Sequence, residues 1–152
     1  MVKIRKANLQ DVKKIHALLQ HFAKKGDLLG RPLSTLYERV REFFVAEDDH
    51  QELIACAALS IAWENLAEIR SLAVREDYHG KGIGRMLIEN ALLEAKALLI
   101  TEIFTLTYQP DFFKKMGFGE IDKKELPHKI WSDCINCPYF PDCNEVSLIY
   151  KT

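Results

Sequence analysis

The period of the apolar positions changes several times along the chain, and each change marks an element. Val2 to Lys6 alternates like a strand, and Asn8 then stands where a helix N-cap belongs. Val12, Ile15, Leu18, Leu19 and Phe22 recur at helical spacing until Lys25-Gly26 closes the helix. After the Gly30-Arg31-Pro32 turn, Ser34 can cap a second helix carrying Leu36, Val40 and Phe43. Phe44 to Glu47, Glu52 to Trp63 and Leu66 to Val74 read as three consecutive strands, with turns at Asp48-Asp49 and near Glu64-Asn65. A long helix follows from Ile83 to Leu99, with Ile83, Leu87, Ala91, Ala95 and Leu98 on its buried stripe. Glu102 to Thr107 is a further strand, and Pro110 and Gly117 bracket a short helix over Asp111 to Met116. Strands near Phe118 to Ile121 and Glu145 to Tyr150 finish the series.

The joint between the third of the consecutive strands and the long helix carries the chemistry. Leu72-Ala-Val-Arg-Glu-Asp-Tyr-His-Gly-Lys-Gly-Ile-Gly84 leaves a strand, crosses a charged turn and sets Gly80, Gly82 and Gly84 at alternate positions. Alternate glycines let successive backbone N–H groups converge without Cβ atoms in the way, and the following helix adds its own N-terminal N–H groups. That is a cradle for a phosphate or pyrophosphate, with Lys81 and Arg85 as mobile charge at its rim. The dinucleotide fingerprint Gly-x-Gly-x-x-Gly does not fit this spacing, and a P-loop would need Ser or Thr after Lys81. A glycine-rich turn that binds nothing is the plain alternative.

Composition narrows the class. The chain has 152 residues, 48% hydrophobic and 28% charged, with a formal net charge of -1. This is a single globular domain over residues 1–152, and its charge gives no reason to expect nucleic acid or an anionic membrane as partner. Met-Val-Lys-Ile-Arg-Lys leads into a polar segment and not an apolar leader, and the run Leu53 to Trp63 is too short to span a bilayer. Cytoplasm is the expected compartment.

Tyr78-His-Gly-Lys-Gly-Ile-Gly-Arg-Met-Leu87 resembles the acetyl-CoA-binding segment of the GNAT N-acetyltransferases, which carry Gln/Arg-x-x-Gly-x-Gly/Ala. Gly82 and Gly84 match the glycines, and His79 replaces the usual Gln or Arg. The resemblance implies an α/β fold with a mixed, mostly antiparallel sheet and helices on both faces. It also implies acetyl-CoA as cosubstrate, held by Leu72, Ala73, Val74, His79, Gly80, Lys81, Gly82, Ile83, Gly84 and Phe113. Three further segments bring it closer to the short stand-alone amino-acid acetyltransferases and the acetyltransferase domain of N-acetylglutamate synthases. They are Gly30-Arg31-Pro-Leu-Ser with Phe44-Val-Ala-Glu, Leu53-Ile-Ala-Cys-Ala-Ala-Leu59 leading to Ala67-Glu68, and Thr105 to Phe118 with Glu125-Leu-Pro-His-Lys129. The implied acceptor is the α-amino group of an amino acid, L-glutamate first, at the entry to arginine biosynthesis. Another small amine or a protein N-terminus is the alternative acceptor, and a CoA-binding sensor without transfer is the alternative class. A homodimer is allowed by the sequence and not required by it.

Acetyl transfer to an amine needs a free amine, so a proton must leave before attack. Glu68, sharing a strand face with Leu72 and Val74 by the two-residue repeat, is the candidate base; a salt bridge to Arg70 is its plain alternative. Tyr108, at the end of a strand, is the candidate proton donor to the leaving thiolate, with a capping or packing tyrosine as its plain alternative. Many family members keep a tyrosine where this chain has Phe113. A glutamate acceptor asks for cations: Arg31 offers a bidentate fork and Lys129 a point charge, unless each is an ordinary surface cation. Cys134, Cys137 and Cys143 lie within ten residues, near His128. A structural metal, a redox-sensitive pair and a reduced metal-free loop all fit that spacing, so the metal call is open.

Overall fold

The computed structural model describes residues 1–26, 28, 30–122, 125 and 145–152. Lys129, His128 and the cysteine segment 134–143 lie outside the described residues. In chain order come β1 (Lys3–Lys6), α1 (Val12–Lys24), α2 (Leu33–Glu38), β2 (Phe43–Glu47), β3 (Leu53–Trp63) and β4 (Leu66–Val74). Then follow α3 (Ile83–Ala97), β5 (Glu102–Thr107), α4 (Pro110–Lys114), β6 (Gly119–Glu120) and β7 (Val146–Lys151). The strands form one seven-stranded sheet in the order β1-β2-β3-β4-β5-β7-β6. The pairs β1–β2, β2–β3, β5–β7 and β6–β7 are antiparallel, which makes this the mixed α/β architecture the sequence implies.

The chain divides into two compact units, Met1–Ser60 with Ile69–Glu94, and Ile61–Glu68 with Ala95–Thr152. In the first, the apolar stripe of α1 (Val12, Ile15, Leu18, Leu19, Phe22) packs with Leu36, Phe43, Val45, Cys56, Ala58 and Ala73. Each large side chain so buried contributes on the order of 1.5–3 kcal/mol. The approach to α1 is fixed by a capping box: the Asn8 side chain accepts from the Gln10 N–H while the Asp11 carboxylate accepts from the Asn8 N–H. Asp11 is buried and takes a two-pronged bond from Arg5 at 2.7 and 2.9 Å. That bond, ahead of the opposing effect of burial, holds the Asp11 carboxyl below its ordinary range.

In the second unit, Leu66 and Phe104 are buried beneath Ala62, Leu106, Ile121 and Ile149. Phe113, Phe118 and Tyr150 form a chain of ring contacts at 5.2 and 5.3 Å. Gly117 ends the turn after α4 at φ +101, and a Cβ there would stand 3.2 Å from the Tyr150 ring.

Two sequence expectations are corrected. Ser34 is not a cap: α2 starts at Leu33 behind Pro32 and ends at Glu38. Val40 falls in a 3-10 turn and Phe43 opens β2, paired with Ala58. The buried run Phe43 to Ala46 gains more from sheet pairing and burial than from continuing a helix. Leu98 is 51% exposed because α3 stops at Ala97, and Ile88 takes a place on the buried stripe instead.

Candidate active site

The strand that ends at Val74 passes into a turn tied down at almost every residue. The Arg75 N–H donates to the Ile54 carbonyl at 2.8 Å, and the Arg75 guanidinium grips Asp77 at 2.7 Å and Glu52 at 3.2 Å. The Tyr78 hydroxyl donates to Asp48 at 3.1 Å. Glu76 reaches α1, where it meets His21 at 2.6 Å and Lys25.

These partners, the hydrogen bond from Lys25 first and that from His21 next, lower the Glu76 carboxyl from 4.5 to about 2. A carboxyl lowered in the folded state adds stability above its unfolded value and loses it as pH falls toward the folded one. The clasp is therefore complete above about pH 4.5 and released on the way to about 2. Glu76→Gln should flatten the fall of melting temperature across that window; curves that stay parallel to wild type would count against the clasp.

Beyond the turn, Gly80 and Gly82 both hold φ +77, and apart from their chain neighbours no atom of the described residues lies within 4 Å of where a Cβ would stand at either. α3 begins at Ile83, and the Met86 N–H donates to the Gly82 carbonyl at 3.1 Å. The N–H groups of this first turn have no helical acceptor of their own. Gly84 sits inside α3, so two of the three glycines, not all, need the left-handed backbone. Lys81 is exposed with its ammonium 5.0 Å over the Tyr78 ring, and Arg85 pairs with Glu89 one helical turn on. Left-handed glycines, open space over them, a helix start and a rim cation fit a pyrophosphate.

His79 is held by contacts within the chain. Its Nε2 lies 2.6 Å from the Val74 carbonyl, and its ring stacks on Phe22 at 6.4 Å with 17° between planes. In the strand before it, Ala73 is buried and Leu72 and Val74 are half-buried.

A second cluster of the first unit gathers around Arg31. The arginine is buried, with its guanidinium 5.4 Å from the Phe43 ring centroid and one nitrogen 3.4 Å from the Ser71 hydroxyl. Glu42 lies 4.0 Å away, and its carboxylate also accepts from Ser60 at 2.9 Å and Arg39 at 3.2 Å. A buried guanidinium needs a nearby anion, and Glu42 is one.

Ser71 itself has φ 57 in the middle of β4, a strained conformation for a serine, and its carbonyl accepts from the Cys56 thiol at 3.4 Å. Burial pushes the Cys56 thiol up to about 12, against the opposing charge of Arg31. Cys56 should therefore stay unmodified when folded protein is treated with iodoacetamide near neutral pH; alkylation mapped to that peptide would contradict the packing.

The remaining candidates belong to the second unit. Glu68 is half-buried on β4, and Tyr108 directly follows β5 at 36% exposure. Phe113 is buried edge-on between Phe112 and Phe118, a packing position that offers no proton. Sequence reasoning missed Ser71, Glu42 and the α1 clasp; a serine inside an apolar strand and a charge directly before one were the available signals. Among the described residues, no group of three or more His, Cys, Asp or Glu side chains is placed to hold a metal. No helix among them is long and apolar enough to cross a membrane.

Residues 39–120, more than half of the chain, match the acetyltransferase (GNAT) domain. The chain is 41% identical to an uncharacterized N-acetyltransferase of Chlorobaculum tepidum, over 96% of this chain and 94% of that protein. An amino-acid acetyltransferase of Mycobacterium tuberculosis is 36% identical over 86% of this chain and 75% of its own. Among solved structures, Rv2747 from M. tuberculosis in complex with CoA is similar with TM-score 0.85 and 30% identity, over 99% of both chains. N-acetylglutamate synthase from Neisseria gonorrhoeae, complexed with coenzyme A and N-acetyl-glutamate, gives TM-score 0.88 at 29% identity; this chain spans 35% of it. The glycine turn and the seven-stranded sheet thus agree with the matches along the chain, which belongs to the GNAT family of N-acetyltransferases.

Proposed function

We propose that this chain transfers the acetyl group of acetyl-CoA to the α-amino group of an amino acid, L-glutamate above others, at the entry to arginine biosynthesis. Support for an amino-acid acceptor comes from relatives that carry the name amino-acid acetyltransferase. Support for glutamate comes from one observation above the rest, the buried Arg31 guanidinium set over Phe43 and beside Ser71. A guanidinium in such a place binds a carboxylate with two parallel bonds in a medium that weakens it far less than water does.

Acetyl-CoA supplies an activated acyl group as a thioester. The chain's own residues bind, orient and move a proton. Gly80, Gly82 and the start of α3 receive the pyrophosphate on backbone N–H groups, and Lys81 adds charge at the rim. Glu68 takes the proton that the ammonium group of the acceptor must lose. Tyr108 is the proton donor in this reading, with Phe113 as an apolar wall. Lys129, outside the described residues, is kept as the second acceptor cation.

Arg31→Ala should lower kcat/KM for glutamate by roughly 10- to 150-fold, the worth of one charge-assisted contact, and leave the KM for acetyl-CoA nearly unchanged. Arg31→Lys, which keeps the charge and loses the fork, should fall between. Steady-state thiol release measures both. A silent Arg31→Ala in an enzyme that prefers glutamate would move the acceptor pocket elsewhere.

A further inference from the structure

We propose that His79 is a positioning residue of the cofactor loop, a brace that fixes the path into Gly80 and Gly82 and not a ligand of the phosphate. The inference rests on the reading of that loop as the CoA site and adds to it the device that holds the loop ready.

The bond at 2.6 Å decides which ring nitrogen is committed. A carbonyl can only accept, so Nε2 carries the hydrogen and donates to the Val74 oxygen. That closes a ring of six residues, Val74 to His79, around the 3-10 turn Glu76–Tyr78. Within the ring the Tyr78 N–H donates to the Arg75 carbonyl at 2.8 Å and the His79 N–H to the Glu76 carbonyl at 3.2 Å.

The outer face of the brace is aromatic. His79 lies nearly parallel to Phe22, and His21 meets the same ring edge-on at 5.1 Å. Phe22 is 7% exposed and belongs to the core, so the stack ties the loop to the buried core of the first unit. His21 and Lys25 of α1 also hold Glu76, so α1 grips the turn at both of its ends.

A loop already in its bound path loses little freedom when a ligand arrives, which raises affinity without any new contact. A Gln or Arg at this place would bring a long side chain with several donors. The imidazole brings one committed donor and a flat face. In this reading the chain exchanges reach for rigidity, and Lys81 is left as a rim cation.

The test combines CoA binding with exchange in the unliganded protein. His79→Ala removes donor and ring, and His79→Phe keeps a ring and removes the donor. Calorimetry with CoA should show a dissociation constant about tenfold higher for His79→Ala and about threefold higher for His79→Phe. Hydrogen exchange of the unliganded protein over residues 75–82 should quicken in the same order, while the KM for the acceptor stays put. Weaker CoA binding with unchanged exchange would make His79 a direct phosphate contact and overturn the proposal. Unchanged binding and unchanged exchange would overturn it as well. Failure of wild type to bind CoA would instead sink the reading of the loop, and the exchange comparison would still decide whether His79 braces it.

Discussion

A Gly82→Val chain should fold and lose most of its affinity for CoA. Gly82 holds φ +77, where a β-branched side chain is strained by about 1–3 kcal/mol, a cost the exposed loop can shed by shifting. Apart from its chain neighbours, no atom of the described residues lies within 4 Å of the added Cβ, so packing against them is not what the substitution damages. The damage falls on the space above the backbone and on the direction of the N–H groups at the start of α3. Each charge-assisted bond from such a group to a phosphate oxygen contributes on the order of 1.5–3 kcal/mol. Loss of even one raises the dissociation constant by roughly 10- to 150-fold, and a shifted loop loses more than one. Gly82→Ala should sit between, since its side chain is smaller but its backbone is equally constrained. Calorimetry on a variant with a native melting profile reads the effect directly; wild-type affinity in folded Gly82→Val would remove the loop from the site.

Glu68→Gln should cost more in turnover than in binding. The carboxamide keeps the size of the side chain on β4 and cannot accept a proton from the acceptor's ammonium group. General-base removal of this kind typically costs about 10²–10⁴-fold, so kcat should fall by at least ~10²-fold while CoA affinity stays near wild type. The loss should narrow as pH rises toward the pKa of the amine, because more acceptor then arrives already deprotonated. Rates within a few-fold of wild type between about pH 7 and 9 would place the base elsewhere or leave the task to water.

Much of this architecture is legible in the chain itself. The spacing of Val12, Ile15, Leu18, Leu19 and Phe22 names the buried face of α1 residue by residue, because a helix repeats its faces at a fixed period. The strand β3 is a long apolar run, β4 alternates, both are bounded by polar turns, and the glycine spacing marks the candidate phosphate loop. What escaped the sequence is tertiary. The bond between His21 and Glu76 joins residues 55 apart, and no local pattern announces it. Ser71 carries a left-handed φ that glycine or asparagine would have advertised and serine does not. Glu42 reads as a surface charge until the fold sets it beside Ser60 and Arg31. The end of the second helix is hidden for a related reason: Phe43 suits a helical stripe as well as a strand, and pairing with Ala58 decides the matter.

The acceptor is the central claim, and substrate competition tests it most directly. Wild-type protein given acetyl-CoA and each free amino acid or polyamine in turn, scored by thiol release and by mass of the acetylated product, yields a ranked list of kcat/KM. The account predicts L-glutamate at the head of that list, acetylated on its α-amino group, with glutamine poorer because it lacks the side-chain charge that an arginine fork favours. A clear preference for glutamine, a polyamine or a peptide N-terminus would contradict the glutamate assignment.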